Sequence, residues 1–130
     1  DVVVALEPIE AIRVLGEYGH PGVKVLANTR SIYPVGCISG DMAYPSLEEV
    51  KKNVAELSAA SWFVDATDEA VKLGAAILGN VIMMGALAGT GVLPIDREVF
   101  TATVTAAMDA SKVDINLKAY DLGVSMVAPA

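Results

Sequence analysis

The sequence predicts an α/β protein built on an open, largely parallel sheet. Three observations carry that reading. Short apolar or β-branched runs, at Val2 to Leu6, Val23 to Asn28 and Trp62 to Ala66, alternate with segments of helical period. Hydrophobic residues make up 54% of the chain and aromatic ones only 5%, so the core is built from Val, Ala, Leu, Ile and Met, a common composition for this class. At 130 residues the length suits a single domain over 1–130, because domains usually run to roughly 100 to 150 residues.

Taken in order, Val2 to Leu6 reads as a strand buried on both faces. Glu7-Pro8 follows, with Pro at a first helical turn where its fixed φ and missing N–H are tolerated. Ile9, Ile12, Val14 and Leu15 then mark a helix that Gly16 and Gly19 are expected to end. The His20-Pro21-Gly22 turn leads into the second strand, Val23 to Asn28. Thr29 to Pro45 carries two Pro and two Gly with no sustained period, a long loop of the kind used for function or ordered by a partner. Ser46 and Glu49 form a capping-box pattern that opens a helix through about Leu57, with Leu47, Val50, Val54 and Leu57 inward. Trp62 to Ala66 reads as the third strand, and Thr67, Asp68 and Glu69 supply the next helix with a cap and first-turn acids. Together these elements predict a three-layer, Rossmann-like open sheet.

The next stretch, LGAAILGNVIMMGALAGTGVL over 73–93, holds no charge and is expected to continue that helix. A spanning helix needs about 20 apolar residues, so length alone permits a membrane reading. The acidic N-terminal flank and the lack of an aromatic belt argue against it. Large residues surround the axis, which predicts a helix buried on all sides, in part by another subunit. Gly74, Gly79 and Gly85 each cost roughly 1 kcal/mol of helix propensity against Ala, so packing must hold it. Gly91 and Pro94 then mark a turn, and Asp96 caps a helix from about Arg97 to Met108 with Val99, Val104 and Met108 inward. A short final helix is expected from about Asp114 to Leu122, ended by Gly123.

Composition also excludes functions. Sixteen acidic against nine basic residues give a formal net charge of −7, and no Lys or Arg cluster exists to displace counterions from a phosphate backbone. Nucleic acid is not an expected partner. One cysteine, Cys37, and one histidine, His20, leave no set of zinc or iron–sulfur ligands and no internal disulfide. The opening DVVVAL has neither a basic leader nor a small-residue cleavage site, so the expectation is a cytoplasmic protein.

Three residues stand where open α/β sheets place ligand-contacting groups, at the carboxyl ends of strands: Glu7 after the first, Asn28 and Thr29 at the end of the second. Each has a plainer role available. Glu7 suits a helix N-terminus through the dipole, and Asn28 and Thr29 suit a turn. Asn80 lies in an apolar helix, where an unpaired amide would cost roughly 1 to 3 kcal/mol, so it is expected to bond to backbone or to a subunit contact. Cys37 and His20 form a weak candidate for a nucleophile and its base. Tyr33 and Tyr44 are expected to anchor their loop or an interface.

The ordered series DVVVALEPIEA, VLANTR, the Tyr33-Pro34 loop, AYPSLEEV, FVDATDEAVKLG, GNVIMMGALAGTGVLP and INLKAYDLG resembles the gamma-type domain of 2-oxoacid:ferredoxin oxidoreductases. Within that family it is most similar to the indolepyruvate type. The family domain opens with a glycine-rich turn that these residues do not contain, so the resemblance implies an incomplete, C-terminal part of the domain. It also implies that thiamine diphosphate and [4Fe-4S] clusters sit in partner subunits, with CoA as co-substrate and no cofactor bound by this chain. The partners it implies are a larger thiamine and iron–sulfur subunit and, through the whole enzyme, ferredoxin. Asn116, in the INLKAYDLG tail motif, is expected to tie that tail down. The rival readings are a stand-alone Rossmann-like module binding a nucleotide or coenzyme, and an oligomeric scaffold associating through 73–93.

Overall fold

The computed structural model describes residues 2–20, 22–29 and 47–127. The chain divides into two compact units, Asp1–Phe63 and Val64–Ala130.

In the first unit the order is β1 (Val2–Ala5), α1 (Pro8–Tyr18), β2 (Lys24–Asn28), α2 (Leu47–Leu57) and β3 (Ala60–Val64). The sheet order is β1-β2-β3, and β1 pairs in parallel with β2, Val2 opposite Lys24 and Ala5 opposite Ala27. The α/β class expected from sequence is therefore what forms. Burial on both faces belongs to the middle strand: Val25, Leu26 and Ala27 have no exposed surface, although their side chains alternate between faces. β1 was expected to be buried in the same way, but among the described residues it is an outer strand and Val4 is exposed.

Ala11 and Leu15 of α1 and Val50 and Val54 of α2 join Ala5, Val23, Val25 and Ala27 in one core, with Phe63 packed against it. The i, i+4 spacing in both helices puts each pair on one face. α1 passes through Gly16, expected to stop it, and ends at Tyr18; the Gly19 N–H donates to the Leu15 carbonyl at 2.9 Å. Leu57, expected inward, is exposed at the end of α2. The Ser46 half of the capping box, and the loop from Arg30 onward with Tyr33, Cys37 and Tyr44, lie outside the described residues. β3 begins two residues earlier than expected, and the Ala59 N–H donates to the Val23 carbonyl at 2.6 Å as the chain enters it.

The second unit is helical: α3 (Ala66–Leu73), a 3-10 turn (Ala76–Leu78), α4 (Gly79–Thr90), α5 (Arg97–Ala107) and α6 (Ala110–Ser125). Asp65, not Thr67, caps α3, its Oδ1 accepting from the Asp68 N–H at 3.1 Å. That cap is why β3 stops at Val64. The apolar stretch does not continue α3. Gly74 adopts φ 118°, its N–H donating to the carbonyls of Ala70 and Val71, and Ala75 is extended before helix resumes. A left-handed residue ends a helix, and glycine takes that conformation without a Cβ penalty. Within this chain α4 is buried in part: Ile82, Met83, Gly85, Ala86 and Thr90 are buried, whereas Ile77 before it and Met84 within it are exposed. No helix among the described residues is long and apolar enough to cross a membrane.

α4 and α6 make the closest helix pairing of this unit, backbone against backbone. A Cβ added at Gly85 would meet the Tyr120 carbonyl, and one at Gly123 would meet the Ile82 carbonyl and lie 2.7 Å from the Ala86 nitrogen. Gly123 therefore does not end α6, as the sequence suggested. It sits inside a helix that starts four residues earlier than expected and continues to Ser125. α5 joins through Phe100, whose ring stacks on Tyr120 with centroids 4.3 Å apart, and through a two-bond pair from Arg97 to Asp121 at 2.7 and 2.9 Å. Val104 is buried, but Val99 and Met108, expected inward, are exposed; the buried face follows Phe100 and Val104, one turn apart.

Candidate functional site

Parallel pairing decides where the strand-end candidates fall. With Ala5 opposite Ala27, Glu7 and the pair Asn28 and Thr29 all lie just past the same carboxyl edge of neighbouring strands. Glu7 and Asn28 are each only 7% exposed, so both are held in place. Glu7 does what a helix N-terminus asks of it: its Oε2 accepts the Glu10 N–H at 3.2 Å, and Glu10 in turn takes two bonds from the Arg13 guanidinium. The edge thus presents a carboxylate, an amide and a hydroxyl. That set suits hydroxyl or amide groups of a ligand.

His20 is used locally, its Nδ1 accepting the Gly22 N–H at 3.2 Å. Its suggested partner Cys37 is outside the described residues. Among the described residues no group of three or more His, Cys, Asp or Glu is gathered as for a metal ion.

The two remaining candidates come together in the second unit. Asn80 and Asn116 line one groove of about 620 Å³ between the start of α4 and the first half of α6. One wall is Leu73, Ile77, Leu78 and Val81; the other carries Met108, Lys112 and Ile115. Asn116 is buried and its Nδ2 donates to the Lys112 carbonyl at 2.9 Å, an i to i−4 bond within α6. Asn80 is not buried within this chain. The break at Gly74 makes it the second residue of a new helix, exposed at the groove's rim. Sequence reasoning missed Lys112, because it started the last helix at Asp114. The signal was there in the spacing Lys112, Ile115, Asn116, which puts these three on one helical face.

Two groups near this groove's far helix are electrostatically tuned. Arg97, hydrogen-bonded to it, holds the Asp121 carboxyl below the usual carboxylate range. Burial against Phe100 holds the Tyr120 phenol above its ordinary value, with Asp121 adding to the effect.

The comparisons with known proteins agree with this architecture. A family model described as pyruvate ferredoxin/flavodoxin oxidoreductase matches residues 1–126. The chain is similar to proteins named indolepyruvate oxidoreductase subunit IorB: 38% identical over 125 residues to that of Pyrococcus horikoshii and 34% to that of Thermococcus kodakarensis, in each case over 95% of this chain. It spans 61% of the length of these relatives. Among solved structures, it is similar in fold to the gamma subunit of a keto/oxoacid ferredoxin oxidoreductase from Geobacter sulfurreducens. The TM-score is 0.62 at 16% identity, covering 97% of this chain and 63% of that one. An alternation of parallel strands and helices that ends in a close helix pair, matched along nearly its whole length, places the chain in the pyruvate ferredoxin/flavodoxin oxidoreductase family.

Proposed function

We propose that the chain is the non-thiamine, non-cluster part of a subunit in a 2-oxoacid ferredoxin oxidoreductase of the indolepyruvate type. That enzyme would decarboxylate a 2-oxoacid oxidatively to an acyl-CoA and pass the electrons to ferredoxin. The observation that carries the reading is the 38% identity to an indolepyruvate oxidoreductase subunit over 95% of this chain. The residues present support the division of labour: a [4Fe-4S] cluster takes four thiolates and this sequence holds one cysteine. Thiamine diphosphate and the clusters then belong to a larger partner subunit, with CoA as co-substrate. Glu7, Asn28 and Thr29 at the sheet edge are the ligand-contacting candidates of this reading, suited to hydroxyl or amide groups. In this reading the chain contributes structure and enclosure and has no turnover by itself.

The test is affinity purification of the full-length protein from its own cells, with mass spectrometry of what accompanies it and a ferredoxin-reduction assay of each fraction. Recovery of a thiamine- and cluster-containing subunit, with activity only in the complex, is the expected result. Turnover by the isolated protein, or its recovery solely as a homo-oligomer, would overturn the reading.

A further inference from the structure

We infer that the groove between the start of α4 and α6 is a binding site for a small organic anion with an apolar body and one carboxylate. Its size comes first: about 620 Å³ lies within the range of small-molecule sites, roughly 300 to 1,000 Å³. Its lining comes second. Side chains such as Leu73, Leu78 and Ile115 offer apolar surface, while the polar residues that line it are few, Asn80, Asn116 and Lys112. That mixture of an apolar wall with a few orienting polar groups is what small-ligand sites show.

The charge selects the ligand. Among the described residues Lys112 is the only charged one lining the groove, in a chain whose formal net charge is −7. The helical run entering α4 adds to it: neither Ala75 nor Leu78 supplies a side-chain cap, and the first turn of α4 carries no acid. The positive end of that helix dipole is therefore not offset by a neighbouring carboxylate of its own. A carboxylate on the ligand would meet an ammonium and amide N–H groups, while a neutral ligand of the same shape would leave them to water. The apolar side chain of another polypeptide would fill the volume and leave that charge unused.

This inference does not rest on the oxidoreductase reading and is tested apart from it. The full-length protein, together with whatever subunit it purifies with, is titrated calorimetrically with 4-phenylbutyrate and with 4-phenylbutanol, which share a body and differ in the charge. Saturable one-to-one binding of the acid, about tenfold tighter than the alcohol, is expected. In Lys112→Met the two ligands should bind alike, with circular dichroism unchanged because Lys112 is on the surface. In Ile77→Ser, which alters an exposed part of the wall, both should weaken together. No saturable binding, equal binding of acid and alcohol to the unaltered protein, or a preference that survives Lys112→Met would each overturn it.

Discussion

Gly123→Ala is the substitution on which the structural account is most exposed. In an ordinary helix interior, glycine to alanine gains roughly 1 kcal/mol, because the unfolded chain loses freedom and the helix loses nothing. Here the new methyl would lie against the Ile82 carbonyl, 2.7 Å from the Ala86 nitrogen and 2.9 Å from the Ile82 carbonyl carbon. Ordinary carbon contacts start near 3.5 Å, and the Ile82 carbonyl oxygen lies closer than either of those atoms, so α4 and α6 must separate by about an ångström or more. The obstacle is main chain and cannot rotate away. Overpacking of this kind costs typically 1–3 kcal/mol, which outweighs the propensity gain. The internal control is Gly16→Ala in α1, where an added Cβ finds nothing within 4 Å and φ is not in the left-handed region; it should gain about 0.5–1 kcal/mol. Urea denaturation of the full-length protein, followed by far-ultraviolet circular dichroism, should move the two midpoints in opposite directions. If Gly123→Ala proves as stable as the unaltered protein, the backbone-to-backbone crossing is not as described and the argument falls.

Two further predictions concern termini and pH. Asp65→Ala removes the side chain that accepts the Asp68 N–H and should cost about 0.5–2 kcal/mol by urea denaturation, with Asp65→Asn recovering most of it. The pH profile of stability should bend at both ends. Asp121 has its carboxyl held low by Arg97, so the contribution of the pair is complete above the ordinary carboxylate range and fades as pH falls through the lowered value. Tyr120 has its phenol held high, so its contribution is complete below about pH 10 and fades as pH rises through the raised value. Thermal melts across pH should show the acid-side loss reduced in Arg97→Met and the alkaline-side loss reduced in Tyr120→Phe; unchanged profiles would contradict both assignments.

The sequence made β1, α1, β2, α2 and α5 legible because each has a clean period and a chemical start or stop: Pro8 at a first turn, a β-branched strand, Asp96 before Arg97. What it hid has physical causes. Glycine reads as a stop signal, yet it serves two opposed purposes in the second unit. At Gly74 it permits a left-handed turn that breaks the apolar stretch, whereas at Gly123 it permits close approach in mid-helix, and nothing local tells these apart. Val99 and Met108 looked inward because they are apolar. The stack of Phe100 on Tyr120 instead rotates α5 so that Phe100 and Val104 face in. At the candidate sites, Glu7, Asn28 and Thr29 could be placed at one edge because strand ends follow from strand runs. The groove could not, since it depends on two helices meeting far apart in sequence and on Asn80 being freed to the surface by the break at Gly74.

The crossing of α4 over α6 also constrains how this chain could drift. When two side chains collide in a core, a second substitution that shortens one of them restores the fit. At positions 85 and 123 the opposing group is a peptide unit, which every residue carries, so no exchange on the facing helix makes room. Those sites have no compensating partner, and any lineage that loses one of these glycines must reposition a whole helix, with its share of the groove, or lose the pair.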